Sequence, residues 1–358
     1  MSRLEVALGP LDVDAIRRMH LDVAESDFPD PPSSIQLARA ARLSTNSLDS
    51  DVSLTWTLSG SIIAYTALCL HRCGDGPLTL QGLPFPLRLP TVAAGLDRNV
   101  HRAIMENFRD HILSLLVRTD SAAASVWASV GRKLARGSLE ARWLAEVPTK
   151  GAGMLLEVSL DTSSGVYWSG LRKSYRSLIN KGQREFATTT VGAPIEGSLG
   201  ADSAVEVMAH LHESAAGRKV YDDRLWEVIK AQIYLGQAAC TIVELGALPI
   251  GALILLLDRD RNRASYAMGA FDRDAMGTGL PVGHTALWAG TQWLRENGFT
   301  SLTMGNVTTP SQTVGKEAGI DRFKHGFANA LVPCLVTEIR LGSRDLEESG
   351  PPASDLLH

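Results

Sequence analysis

The chain has 358 residues, with 35 Lys and Arg against 39 Asp and Glu, a formal net charge of -4 and 45% hydrophobic residues. At roughly 100 to 200 residues per domain, this length holds about two domains, each with its own core. The composition excludes a disordered chain and gives no global cationic field for DNA or an anionic membrane. With 32 Gly and 16 Pro it shows neither a collagen-like period nor a low-complexity tract.

Met1 to Val6 lacks the apolar core of a secretory signal. The longest apolar run, Ile250 to Leu257, falls far short of the ~20 residues that span a bilayer. A cytoplasmic protein with no membrane insertion is expected. Cys69, Cys73, Cys240 and Cys334 form no CxxC pair, so neither a zinc site nor a redox couple is framed. They read as small buried hydrophobes in a reducing compartment.

In chain order, Leu11 to Ala24 carries Ile16, Met19, His20 and Val23 at helical spacing. Leu54 to Arg72 (LTWTLSGSIIAYTALCLHR) reads as a hairpin turning at Gly60, and His101 opens a helix with Ile104, Phe108, Ile112 and Leu116 on one face. A junction falls around Val147 to Asp161, where Met154 to Leu160 alternates as a strand. Ala204 to Ser214 and Asp222 to Leu235 are helical. Thr241 to Arg259 (TIVELGALPIGALILLLDR) is a second hairpin, turning at Gly246. His284 opens a helix with Leu287, Trp288, Thr291 and Leu294 inward; Asn297-Gly298 stops it, and Thr300 to Met304 is a strand. Pro310 to Gly319 is a polar loop and a candidate active-site rim, and the tail from Ser343 is frayed.

Both halves thus run helix, helix, hairpin, helix, strand. This order predicts an α/β (α+β) tandem duplication, each half a mixed sheet flanked by helices. The expected divisions are residues 1–150, residues 151–342 and a flexible tail, 343–358.

Tyr167 to Arg184 (YWSGLRKSYRSLINKGQR) has the densest charge. Arg172, Lys173, Arg176, Lys181 and Arg184 occur there without an acid, while Leu171, Tyr175, Leu178 and Ile179 mark one apolar face. One cationic amphipathic helix is expected. It is either a solvated face or an anion site for the phosphates of a cofactor, nucleotide or tRNA end. His210 and His212 lie two apart on a helix and share no face for a metal, and no GxSxG elbow or Cys-His pair is present. No metal is expected. His284 is a candidate base, although its match in His101 favours a shared helix-start role.

The run LRKSYRSLINKG resembles the signature helix of FemAB-like proteins, a branch of the GNAT superfamily. Gly217-Arg218-Lys219 at a helix end and Asp321-Arg322-Phe323-Lys324-His325-Gly326-Phe327 match further stretches of that family, in its order. The resemblance covers about residues 150–335 well and the first half only through its hairpin and helix. It implies two tandem GNAT folds. No long heptad pattern marks the helical arm of the cross-bridge ligases, and Phe327 is followed by Ala328-Asn329 rather than a Gly-rich segment.

By this resemblance, Lys324 lies at the reacting centre, Arg218 binds a phosphate or carboxylate of the acceptor, and Tyr266 presents a hydroxyl to the substrate. Arg172, Arg176, Lys181 and Phe323 join the substrate side. Arg273 to Gly279 resembles the loop that holds the pyrophosphate of acyl-CoA. It has one residue too many for the usual spacing, but Arg273, Gly277 and Gly279 still lead into a helix start with free N–H groups. Simpler readings remain for each: a surface lysine anchored by Phe323 and Phe327, a packing tyrosine, a capping arginine, glycines that only turn the chain. The expected activity is transfer of an acyl group from acyl-CoA to a primary amine of a small or sugar-linked acceptor, with no permanently bound cofactor. The alternatives are an aminoacyl-tRNA-dependent ligase, which engages a tRNA acceptor end, and a non-catalytic binding module.

Overall fold

The computed structural model describes residues 4–12, 15–16, 32–72, 76–83, 87, 89–93, 95–119, 121, 123–129, 149–192, 200–307 and 316–340. Met19, His20, Val23, Cys73, the rim segment 308–315 and the tail from 341 lie outside them. The chain divides into two compact units, one of Met1–Ile35, Asn46–Gly153 and Pro333–His358, the other of Gln36–Thr45 and Met154–Val332.

The first unit contains β1 (Leu4–Leu8), the start of α1 (Pro32–Ser44), β2 (Leu48–Asp51), β3 (Leu54–Leu58), β4 (Ser61–Thr66), β5 (Leu68–His71), β6 (Thr79–Gly82), β7 (Thr91–Val92), α2 (Arg98–Arg118) and β8 (Ala123–Ser129). Its strands form sheets of order β1-β3-β4-β7 and β2-β5-β6. Asp97 caps α2 by accepting from the amide of Asn99, and Ile104, Phe108, Ile112 and Leu116 pack into one core with Leu54, Trp56, Ala64 and Leu68. The apolar face predicted for this helix is the buried one.

The second unit follows β9 (Thr149–Ser159) with α3 (Ser164–Gly170), α4 (Lys173–Glu185), β10 (Ala187–Val191), α5 (Ala201–Ala216), α6 (Asp223–Tyr234), β11 (Ala238–Leu245), β12 (Leu248–Asp258), β13 (Arg263–Phe271), α7 (Arg273–Gly277), α8 (Val282–Glu296), β14 (Ser301–Val307), α9 (Lys316–Phe327) and the start of β15 (Ala330–Arg340). Its strands lie in the order β10-β11-β12-β13-β14-β9. Alternation along β12 assigns its two faces: Leu253, Leu255 and Leu257 meet α4 and α8, while Ala252, Ile254 and Leu256 meet α5 and α6. A strand buried on both sides explains why Ile250 to Leu257 reads as an unbroken apolar run. The α/β architecture read from the sequence is the one observed.

The two hairpins share a register. In the first, Leu58 pairs Ser61 and Thr57 pairs Ile62, and the register then skips Ile63 to pair Trp56 with Ala64. In the second, Leu245 pairs Leu248 and Glu244 pairs Pro249, and the register skips Ile250 to pair Val243 with Gly251. Gly60 and Gly246 turn the chains at φ of 80° and 64°, in the left-handed region that glycine enters without a Cβ penalty.

One expectation fails. The stretch from Tyr167 to Arg184 is not a single helix. Leu171 is extended (φ -66°, ψ 145°) and ends α3, and Arg172 is the residue before α4. The break keeps Tyr167, Leu171, Tyr175 and Ile179 all buried, so the apolar periodicity passes through it unmarked. Cys69 and Cys240 are buried and in no disulfide, and burial pushes the Cys240 thiol up to about 12.

Candidate active site

β13 and β14 run parallel and pair only from Arg263 with Ser301 to Ser265 with Thr303. Each carries a bulge just past that point, at Ala267 opposite β12 and at Met304 opposite β9. Bulges bend strands and re-aim side chains, so the pair opens from residues 266 and 304 onward. Lys324 of α9 reaches this opening. Its Nζ lies 5.1 Å from the centroid of the Tyr266 ring and 3.5 Å from where a Cβ on Gly305 would stand. The ammonium therefore lies beside the first residue past the pairing on β13 and the second on β14. The Tyr266 hydroxyl passes over Gly269, 2.6 Å from the place of a Cβ there.

Burial lowers the Lys324 ammonium from its ordinary value, with the charge of Asp321 opposing the shift. Burial pushes the Tyr266 hydroxyl up to about 12, so near neutral pH it holds its proton and can donate it. A cation over an aromatic face gains electrostatic energy from the ring. The pair thus offers a positive donor beside a neutral one in a partly dry cleft, the arrangement that stabilises an oxyanion and a departing anion.

An aromatic box fixes α9 below the lysine. The Tyr175 hydroxyl donates to the carbonyls of Arg322 (3.1 Å) and Phe323 (3.3 Å), and Tyr167 donates to that of Phe327 at 3.2 Å. His284 stands edge-on to Tyr175 (4.6 Å between centroids) and to Phe323 (5.1 Å). Burial drops its imidazole to about 4, so it is neutral at pH 7, and its Nε2 has no hydrogen-bond partner among the described residues. Phe323 packs in this box beside Phe327, which is fully buried.

The loop from Arg273 contains a helical turn. Asp272 accepts from the amide of Ala275 at 2.7 Å and starts α7, and Gly279 has φ of 79° before α8 begins at Val282. No side chain caps the first amides of α8. Lys181 donates to the carbonyl of Gly279 at 3.4 Å, so the cationic helix and the glycine turn meet there. Arg172 and Arg176 are placed differently. Five residues separate Arg176 from Lys181, about 140° around a helix, and Arg172 acts on Tyr175. Arg273, Gly277 and Gly279 are exposed, as is Arg218, which follows the left-handed cap Gly217 at the end of α5.

A groove of about 400 Å³ between α4, β10 and α8, lined by Gln183, Thr188, Trp288, Gln292, Trp293 and Glu296 among others, contains none of these residues. Sequence reasoning missed Tyr175, Gly305 and Gly326 as parts of the site. The one available signal was a glycine inside a helical run, Gly326, which marks a close approach. Among the described residues no group of three or more His, Cys, Asp or Glu side chains is placed to hold a metal, and no helix is long and apolar enough to cross a membrane.

The second unit thus holds an opened parallel strand pair, a largely buried lysine over a tyrosine ring, and a helix start without a side-chain cap. Residues 169–325 match the family described as acetyltransferase (GNAT) domain. The fold is similar to that of FemX, at 10% identity over 96% of this chain and 99% of that one, with a TM-score of 0.61. It is also similar to the C-terminal domain of a candidate lysylphosphatidylglycerol synthetase from Agrobacterium fabrum, at 13% identity over 94% of each chain and a TM-score of 0.53. No curated protein matches the sequence. The comparisons thus place an acetyltransferase (GNAT) match within the second unit and a fold similar to that of FemX over the chain.

Proposed function

We propose that the second unit transfers an acyl group from acyl-CoA to a primary amine of a small-molecule or sugar-linked acceptor. The observation that carries this reading is the position of Lys324 Nζ over Tyr266 and Gly305, where β13 and β14 part. A neutral amine attacks the thioester carbonyl, and the new oxyanion is stabilised by the Lys324 ammonium. The C–S bond then breaks, and Tyr266 gives its proton to the departing thiolate while the amine loses one to water. The amides at the start of α8, with Gly277, Gly279, Lys181 and Arg273 around them, hold the donor phosphates. Arg172, Arg176 and Arg218 serve the acceptor or the outer donor phosphates, and Phe323 shapes the cleft wall. The first unit serves as scaffold and acceptor side, and the protein works in the cytoplasm without a permanently bound cofactor.

A second reading, aminoacyl transfer from a tRNA, is favoured by the resemblance of the 171–182 and 321–327 stretches to FemAB-like proteins. Thermal shifts with acetyl-CoA, CoA and deacylated tRNA added separately distinguish the two. Acetyl-CoA and CoA are expected to stabilise the protein. Stabilisation by tRNA alone overturns the donor assignment.

A further inference from the structure

The 171–182 and 321–327 stretches meet through one side chain. The ring of Tyr175 lies on Gly326, where an added Cβ would stand 2.0 Å from its Cε2. The same ring faces Phe327 at 5.3 Å and His284 at 4.6 Å. From this seat the hydroxyl donates to the carbonyls of Arg322 and Phe323, the two residues just before Lys324. Both carbonyls lie within the helix, not at its end, so these bonds relieve no orphaned group. They fix the rotation and height of α9 at the turn that carries the lysine.

We propose that Tyr175 is a positioning residue for Lys324: through two main-chain carbonyls of α9 it sets where the ammonium stands over Tyr266 and Gly305. The inference rests on the reading of Lys324 as the group that meets the acyl carbonyl. A lysine side chain is long and flexible, so its placement depends on where the helix presents its Cα. A shift of about 1 Å at a reacting group can cost on the order of 100-fold in rate. The charged and titratable groups around the pair come from every element of the box. Asp321 acts on Lys324 from its own helix, Tyr266 faces it from β13, and Arg172 and Arg322 act on Tyr175. His284, from α8, is neutral. Tyr167 serves as an internal control, because it makes the same kind of bond to α9 but at Phe327, three residues past the lysine.

The test is carbon-13 reductive methylation of the lysines of the full chain, followed by NMR titration, with the Lys324 signal assigned by its loss in Lys324→Met. In Tyr175→Phe the Lys324 signal is expected to titrate at higher pH than in the native chain, with the other lysines unmoved. Turnover of acetyl-CoA with an amine is expected to fall about 10- to 100-fold at an unchanged KM for the donor. Tyr167→Phe is expected to lower the melting temperature and leave the Lys324 titration in place. If Tyr175→Phe melts earlier but titrates and turns over like the native chain, Tyr175 is only a packing residue and the proposal fails. If that variant does not fold, Gly326→Ala, which displaces the same ring from the other side, must move the Lys324 signal; an unmoved signal again overturns the proposal. Full turnover in Lys324→Met would overturn the catalytic reading while a moved titration in Tyr175→Phe still upheld the positioning.

Discussion

The hairpins of the two units are built alike up to one point and then part. Both turn through a left-handed glycine, and both skip one isoleucine at the third position of the return strand. Beyond the bulge the second return strand, β12, continues unbroken to Asp258, buried on both faces. The first is interrupted at Ala67, with β4 and β5 pairing into separate sheets. Ser53 explains the interruption: its hydroxyl donates to the carbonyl of Leu68 and accepts from the Leu68 amide, taking the place of a ladder bond. The lesson is that turn and bulge are local properties, the same in both hairpins, whereas strand continuity depends on what flanks the hairpin. A long β12 supports a long β13, and the opening between β13 and β14 is where Lys324 and Tyr266 meet.

The comparison breaks most visibly at the lysine. Lys324→Ala is expected to reduce single-turnover acyl transfer about 100- to 1000-fold, the usual loss when one oxyanion donor is removed. Turnover within a few-fold of native would remove the catalytic reading of Lys324. A structural test comes next in size. At Gly182 an added Cβ would stand within contact distance of Thr285 on the facing helix, so Gly182→Ala is expected to cost about 1–3 kcal/mol by overpacking, read from urea denaturation.

Each unit carries a histidine on its long helix that burial lowers. His284, at about 4 when folded, lies below its unfolded value of about 6.5. The unfolded state therefore binds the extra proton, and the stability this group contributes, complete above pH 6.5, is lost as pH falls from 6.5 towards 4. Burial also lowers His111 on α2, against a raising hydrogen bond with the Val52 carbonyl at 2.9 Å. Urea midpoints between pH 7 and pH 4.5 are expected to fall less for His284→Phe than for the native chain. Equal falls would mean that His284 is not the group that titrates.

The smallest effect tests the hairpin equivalence itself. Ile63→Val and Ile250→Val, at buried bulge positions, are each expected to cost about 0.5–1.5 kcal/mol. Costs that differ by more than that range would show that the shared register hides different packing.

Much of the fold was legible because its signals are short-ranged. The inward face of α2 follows from Ile104, Phe108, Ile112 and Leu116, and the stop of α8 from Asn297-Gly298. The break between α3 and α4 was not legible, because Tyr167, Leu171, Tyr175 and Ile179 stay buried across it and only Gly170 hinted at an end. Spacing also grouped Arg172, Arg176 and Lys181, which the helix turns to different sides, and left only Lys181 at the glycine turn.

The sequence by itself determined the near-neutral charge balance, the two hairpins, the helix faces and the stretches that resemble FemAB-like proteins, since each rests on residues within one or two turns of each other. Only the tertiary structure decided that Tyr175 seats on Gly326 and that Lys324 stands between Tyr266 and Gly305. Those contacts join positions 58 to 151 residues apart in most cases, or elements that meet only once the sheet has opened, and no local pattern encodes a meeting whose partners lie on different elements.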